Sequence, residues 1–530
     1  VTHSFQGPGR APMYATEAMC ATSHPAAARV ALAMLGQGGN AVDAAVAGAV
    51  VLGFCEPAMC GLGGDVFALI HDAKTGESRG LNGTGRAPAA LHAGDLRAQG
   101  LTAVSLDSVH AVTVPGAVDA FDRLIATEGR LDLATVLAPA IAVAERGVPT
   151  HRRTAIDGAT FAGRLKGAGR QHFMREGRSL REGEIFAAPG QAEALRLIAR
   201  EGARAFYEGP VMEDILATLR AEGGLHSAED FARTAATPVT PIRRAYRGHD
   251  LVELPPNGQG ATALLLAGLL ERFDIASLNP RGAERVHLEA EATRLAYSAR
   301  NRFIGDPGEG ELNLDGMLSD AAIDEIAAHI DPKRAGKTLP PRFEALHKDT
   351  VYITVVDAEG LCVSLIYSLF WPYGSGFASE RFGIPLHNRG AGFTLAEGHV
   401  NELIGGKRPL HTLLPGLLEV PGTYAMPFGV MGGAYQATGH AHFVSNLVDY
   451  GMDVQAAIDG PRSFLDITSG KLELESTFDE GVAARLVEMG HDVTRARVGM
   501  GGAQAIRRDA ATGLLTGGSD PRKDGLALGI

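Results

Sequence analysis

Near the amino end, apolar positions recur at helical spacing. "SHPAAARVALAML" offers Ser23 as an N-cap, Pro25 in the first turn and Gly36 as a stop. "GGNAVDAAVAGAVVLGF" repeats the design with Asn40 as cap, and its apolar run predicts a buried helix. "GLGGDVFALIHD" then leads from a glycine loop into a strand. From about Ala103 to Ala327 the pattern predicts mostly helix, as in "AEALRLIAREGARAFYEG" and "AERVHLEAEATRLAYSARNRF". "DPKRAGKTLPPRFEALHKD" breaks that pattern; polar and rich in Pro, Lys and Arg, it reads as a linker. Beyond it the period changes to two. "TVYITVVD" and "LCVSLIYSLF", joined by "AEG", predict a hairpin that opens on an exposed Thr350. "YAMPFGVMGG" predicts a strand running straight into the helix "AYQATGHAHFVSNLVDYG". Strands framed by many helices predict a layered α/β architecture.

Composition removes several classes of function. The net charge of −12 is spread along the chain without a Lys/Arg-rich run, which argues against nucleic acid. The most apolar window, from Ala41, is too short to span a bilayer and carries Asp43. "VTHSFQGPGR" lacks the apolar core of a secretory signal, so the cytoplasm is the default; the first residue is not Met, which leaves a trimmed leader open. Cys20, Cys55, Cys60 and Cys362 lack metal-ligand spacing and read as free buried thiols, with a Cys55–Cys60 bridge as the alternative. His440 and His442, two apart on a helix, would not share a face, and no metal or organic cofactor is expected. The "GLGG" at Gly61–Gly64 precedes a strand instead of following one, the wrong order for a phosphate loop.

Two features carry chemistry. A threonine hydroxyl needs a base before it can attack. Cleavage before Thr350 would free an α-amine one residue's reach from that hydroxyl, and an amine with a pKa near 8 suits that role. In "GVMGGAYQ", Gly432 and Gly433 lie where a strand gives way to a helix. Unpaired N–H groups point outward there, and glycine lets a ligand approach the backbone, as an oxyanion hole needs.

Read together, these pieces resemble the gamma-glutamyltranspeptidase family of N-terminal nucleophile hydrolases over nearly the whole chain. "GGNAVDAAVAGAVVLGFCEPAMCGLGGDVF", "NRFIGDP", "DTVYITVVDAEG", "GKRPLHTLLPG" and "MGGAYQATGH" followed by "GMDVQAAIDGPR" carry the likeness in order. The resemblance implies an αββα sandwich with a helical large-subunit region. It implies self-cleavage between Asp349 and Thr350 into a large subunit, 1–349 with a linker tail from about 329, and a small one, 350–530, interlocked as one domain. Thr350 would be the nucleophile, Ser368 the second hydroxyl beside it, and Gly432 and Gly433 the oxyanion hole.

The departures bear on substrate. The family holds a glutamyl α-ammonium with Asn, Glu or Gln, and Asp; the matching positions here are Phe370, Arg389 and Gly392. None of the three can hold an ammonium ion, and the Arg would repel it. His411 and Thr412 replace the two serines that help hold the carboxylate, and both can donate hydrogen bonds. Arg86 in "GTGRAP" stands two positions later than the family's arginine. Phe370, Trp371 and Tyr373 could fill the glutamyl space. "HNRGAGF" and "RPLHTLLPG" look like the family's oxamate amidohydrolase-like branch. The expected substrate is a small anionic amide without an α-amine, bound through Arg86, Phe370, Arg389, His411 and Thr412. A gamma-glutamyl hydrolase or transferase, a glutaryl (cephalosporin-type) acylase and a non-catalytic binding protein are the alternatives. The partners expected are that substrate and the two chains of one precursor, with a homo-oligomer left open.

Overall fold

The alternating runs after residue 350 fold as their period requires. In the computed structural model, which describes residues 9–308, 310, 312–337 and 350–530, Val351–Val356 and Leu361–Ser368 form an antiparallel hairpin. Its turn is held by Asp357, which accepts from the N–H groups of Glu359 and Leu361 at 3.0 Å each. Thr350, expected to be exposed, is buried at the head of the first strand. Much of the linker, with Asp349, lies outside the described residues.

This hairpin is the middle of a seven-stranded sheet ordered Leu526–Gly529, Met19–Thr22, Val351–Val356, Leu361–Ser368, Asp65–Asp72, Glu77–Gly83 and Thr237–Val239. A second seven-stranded sheet runs Met13–Ala15, Leu515–Ser519, Gly502–Asp509, Tyr424–Met431, Gly416–Val420, His249–Glu253 and Ile242–Tyr246. Each sheet thus mixes strands from before and after Thr350. The two pack face to face through Phe67, Leu69, Tyr352, Ile366, Leu417 and Met431.

Helices cover both outer faces. Pro25–Gly36 and Ala41–Cys55 lie on the hairpin sheet, where Val42, Val46 and Val50 join Ile353 and Leu365 in one core. Gly260–Glu271, Ala283–Phe303 and Tyr435–Val448 cover the other sheet, where Leu264, Tyr297 and Phe443 meet Phe428 and Val430. The architecture is the four-layer αββα sandwich. A fully apolar helix suits an outer layer because other helices bury its far side in turn.

Asn40 caps as its type predicts: its side chain accepts from Val42 and Asp43 while Asp43 accepts from the Asn40 N–H at 2.8 Å. Ser23 does not cap the preceding helix; His24 does, and the Ser23 hydroxyl donates instead to Glu56. Within the stretch expected to be mostly helical, Thr237–Val239, Ile242–Tyr246 and His249–Glu253 are strands. Pro238 and Pro241 obscure the alternation of the first two; Pro238 lies in Thr237–Val239 and Pro241 just before Ile242–Tyr246, both edge strands, where proline is tolerated. All four cysteines are free and buried. Among the described residues no helix is long and apolar enough to cross a membrane.

Candidate functional site

Hairpin register brings the first two candidate residues together. Val351 pairs with Tyr367, so the next position places Thr350 opposite Ser368. The Thr350 hydroxyl donates to Ser368 Oγ at 3.4 Å, a long contact, and Ser368 Oγ also accepts from the Phe370 N–H at 2.9 Å. Both side chains are buried. The glycine loop before the neighbouring strand explains how the chain crowds here. A Cβ on Gly64 would sit 2.6 Å from the Ser368 carbonyl oxygen, and one on Gly63 would overlap the Pro385 carbonyl. Close backbone packing, not phosphate binding, is what "GLGG" supplies.

Gly432 and Gly433 form the turn between Tyr424–Met431 and Tyr435–Val448, with φ of 124° and 57°. Both lie in the left-handed region that favours glycine. Gly429, three residues earlier, packs against the ring of Tyr352 across the sheets, so the turn faces the start of the Thr350 strand. The Gly432 and Gly433 carbonyls accept from Tyr435 and Gln436. Gln259 Nε2 bridges the Gly433 carbonyl at 3.1 Å and the Thr412 carbonyl at 2.9 Å. Sequence reasoning passed over Gln259; its signal was the turn-rich "PPNGQG" just before an apolar helix.

The positions aligned with an ammonium site contain something else. Phe370 adopts φ of 78°, rare outside glycine, and this presents its ring to Arg389, whose guanidinium carbon lies 3.7 Å from the ring centroid. Arg389 is buried, and its Nη1 donates to Thr412 Oγ1 at 3.1 Å. A hydroxyl that accepts in this way keeps its own O–H to donate. Gly392 has no room for a carboxylate: a Cβ would stand 2.8 Å from the Leu410 carbonyl oxygen. Asn401 fixes that approach by donating to the Gly392 carbonyl and accepting from the Leu410 N–H.

A carboxylate does lie nearby, at Asp65, which pairs across the sheet with Ser368. Its lone pairs are used within the protein. Oδ1 accepts from the N–H groups of Gly85 and Gly116 at 3.0 and 3.2 Å, and Oδ2 accepts from His411 Nε2 at 3.2 Å. His387 Nδ1 stands 3.6 Å from the same oxygen. Burial alone would push this carboxyl up, but His387, the His411 hydrogen bond and Arg389 outweigh it and hold it at about 2. Asp65 and His387 were not singled out from sequence. A lone acidic residue opening the apolar run "DVFALI" was the available signal.

The same contacts revise the reading of His411 as a substrate donor. Its Nε2–H is given to Asp65 and its Nδ1 accepts from the Leu413 N–H at 3.2 Å, so no ring N–H remains for a ligand. Burial, then Arg389, lowers its pKa to about 3, so it stays neutral. His411 here anchors the loop that carries Thr412.

Three other candidates are not gathered with this group. Arg86 turns outward, 46% exposed, toward Asp306 Oδ2 at 3.3 Å and the Gly406 carbonyl at 2.9 Å. Trp371 lies beneath Arg164, 5.3 Å away. Tyr373 packs against Phe173 in the helical layer, lining a small cavity with Cys55, Pro57 and Thr150. His440 and His442 face different carboxylates, Glu253 at 2.7 Å and Glu289 at 3.0 Å.

Comparison with known proteins bears on the family and the fold. The family model described as gamma-glutamyltranspeptidase matches residues 27–530. The chain is 34% identical over 529 residues to the glutathione hydrolase-like YwrD proenzyme of Bacillus subtilis, covering 97% of this chain and 99% of that protein. It is 33% identical over 531 residues to the oxamate amidohydrolase proenzyme of Klebsiella pneumoniae, covering 97% and 98% respectively. Among solved structures, cephalosporin acylase from Bacillus halodurans superposes with a TM-score of 0.92 at 35% identity, covering 100% of this chain and 99% of that one.

Proposed function

Because the chain belongs to the gamma-glutamyltranspeptidase family and is an amide-bond hydrolase of the N-terminal nucleophile class, we propose that its substrate is a small amide bearing a carboxylate and no α-amine, oxamate being the simplest case. The buried guanidinium of Arg389 carries this reading. An ammonium about 4 Å from it would be repelled by about 4 kcal/mol at an effective dielectric near 20, while a carboxylate would gain as much. Asp65 is not placed to bind the ammonium directly, since backbone N–H groups and His411 take up its oxygens.

The reaction begins with the chain itself. Thr350 Oγ attacks the Asp349 carbonyl, the acyl group shifts from N to O, and water hydrolyses the ester, giving chains 1–349 and 350–530. In turnover the freed α-amine takes the Thr350 hydroxyl proton as Oγ attacks the substrate carbonyl. The Gly432 and Gly433 N–H groups receive the oxyanion. The amine returns the proton to the leaving nitrogen, and water then releases the acid from the ester. Arg389 and the Thr412 hydroxyl hold the substrate carboxylate.

A longer amine-free acyl group such as glutaryl is the second reading, favoured by the superposition on a cephalosporin acylase. Purified protein offered oxamate, a glutaryl anilide and a gamma-glutamyl anilide side by side separates these. Turnover of oxamate supports the proposal and turnover of the glutaryl anilide alone the second reading; turnover of the gamma-glutamyl compound alone overturns both.

A further inference from the structure

Glu56 and Lys523 are buried ionisable groups with no part in the chemistry above; chain geometry brings Glu56 level with Thr350, and Lys523 packs on Gly502, the strand partner of Met431. The helix Ala41–Cys55 runs antiparallel to the strand Val351–Val356. At one end the Ala41 N–H donates to Asp357 at 3.0 Å; in the middle a Cβ on Gly48 would overlap Ile353. From Gly48 to Glu56 the helix advances about 12 Å, and from Ile353 back to Thr350 the strand retreats about 10 Å. Glu56 therefore ends level with Thr350. The turn after it confirms the register: the Leu369 N–H donates to the Met59 carbonyl at 2.9 Å, one residue past Ser368.

Ser23 approaches from the other side. Thr22 pairs with Ile353 and donates to the Tyr352 carbonyl at 2.9 Å, and Ser23, one residue nearer Thr350, donates to Glu56 Oε1. Lys523 closes the group. Its Cγ lies 2.9 Å from where a Gly502 Cβ would stand, and Gly502 pairs with Met431, next to Gly432. Only 4% of each of Glu56 and Lys523 is exposed.

Resting on the reading of Thr350 as the N-terminal nucleophile, we propose that Glu56 and Lys523 are positioning residues for its α-amine. Glu56, oriented by Ser23, accepts an N–H of the freed amine, and the Lys523 ammonium keeps that amine unprotonated so that it can serve as base. Burial pushes the Glu56 carboxyl up, Lys523 and the Ser23 hydroxyl draw it back, and Asp157 and Asp524 add to the rise, leaving it at about 7. Cys55 and Cys60, also facing this carboxylate, are held protonated by burial. His24, its ring centroid 4.1 Å from that of His151 and tilted 50° to it, is neutral, its pKa lowered to about 3 by burial and by His151.

The test follows the Thr350 α-amine without needing a substrate. Processed protein is trace-labelled with acetic anhydride across a pH series, and acetylation of the small chain's N-terminal peptide is read by mass spectrometry. Lys523→Met should move the titration midpoint up by about one unit, Lys523→Arg should hold it, and Glu56→Gln should move it down by about one unit. If Lys523→Met does not fold, the opposite shift in Glu56→Gln and the unmoved Lys523→Arg decide. A midpoint unmoved by Glu56→Gln, or by Lys523→Met where it folds, overturns the proposal, as does a shift in Lys523→Arg. A chain that stays uncleaved on a gel overturns the nucleophile reading itself.

Discussion

Replacing Arg389 by Met is the sharpest test of what the pocket recognises. Met keeps an unbranched side chain against the Phe370 ring and removes the charge. Breaking a buried, hydrogen-bonded ion pair costs about 2–5 kcal/mol; a value near 3 corresponds to roughly 150-fold in kcat/KM. Asp65 keeps its two backbone donors and His411 after the change, and a thermal melt run beside the assay separates lost stability from lost recognition, since removing one member of a buried charge pair is destabilising. Oxamide makes the comparison clean, because it matches oxamate in shape with a neutral amide in place of the carboxylate. Steady-state release of ammonia from each compound should show the wild type preferring oxamate by roughly two orders of magnitude. In Arg389→Met that preference should fall to about one, through loss on oxamate alone, with Arg389→Lys between the two because it keeps charge without the planar fork. An equal loss on both compounds would refute the anion-site reasoning, since Arg389 would then serve packing alone.

Ser368→Ala removes an oxygen that accepts from both the Thr350 hydroxyl and the Phe370 N–H; single-turnover rates should fall roughly 10- to 100-fold with little change in KM, and an unchanged rate would remove Ser368 from the site. Acid should weaken the fold through histidines that are buried neutral. Burial, with Arg389, lowers His411 to about 3, and burial lowers His226 to about 4. Between the unfolded value near 6.5 and those folded values, the unfolded chain binds protons that the native chain does not. Stability is thus full above about pH 6.5 and falls by about 1.4 kcal/mol per pH unit per group as pH drops. Urea denaturation at about pH 7 and about pH 5 should show this loss. In His226→Gln, which can still donate to the Val112 carbonyl, the slope should flatten by one group's share; an unchanged slope would count against it.

What was legible in the sequence follows the range of the interactions. The hairpin at Thr350, the strand-to-helix turn at Gly432 and the Asn40 cap are set by neighbours within a few residues, so pattern and residue type reveal them. The site's electrostatics are not local. Asp65 binds Gly85, Gly116 and His411 from three separate segments, and only the folded topology shows that His411 has no N–H left to give. Arg86 illustrates the same limit: its residue type suits an anion, but Asp306 and Gly406 hold it at the surface. The place of Ser23 before Pro25 predicts a cap, yet Glu56, 33 residues along the chain, accepts its hydroxyl.

Everything proposed for this chain depends on Thr350 becoming an amino terminus. Intact mass and N-terminal sequencing of purified wild type and Thr350→Ala measure that directly. The account predicts two wild-type chains, the smaller beginning Thr-Val-Tyr-Ile, and one uncut Thr350→Ala chain. A wild type that stays whole after long incubation, or a cut at any other bond, would contradict it.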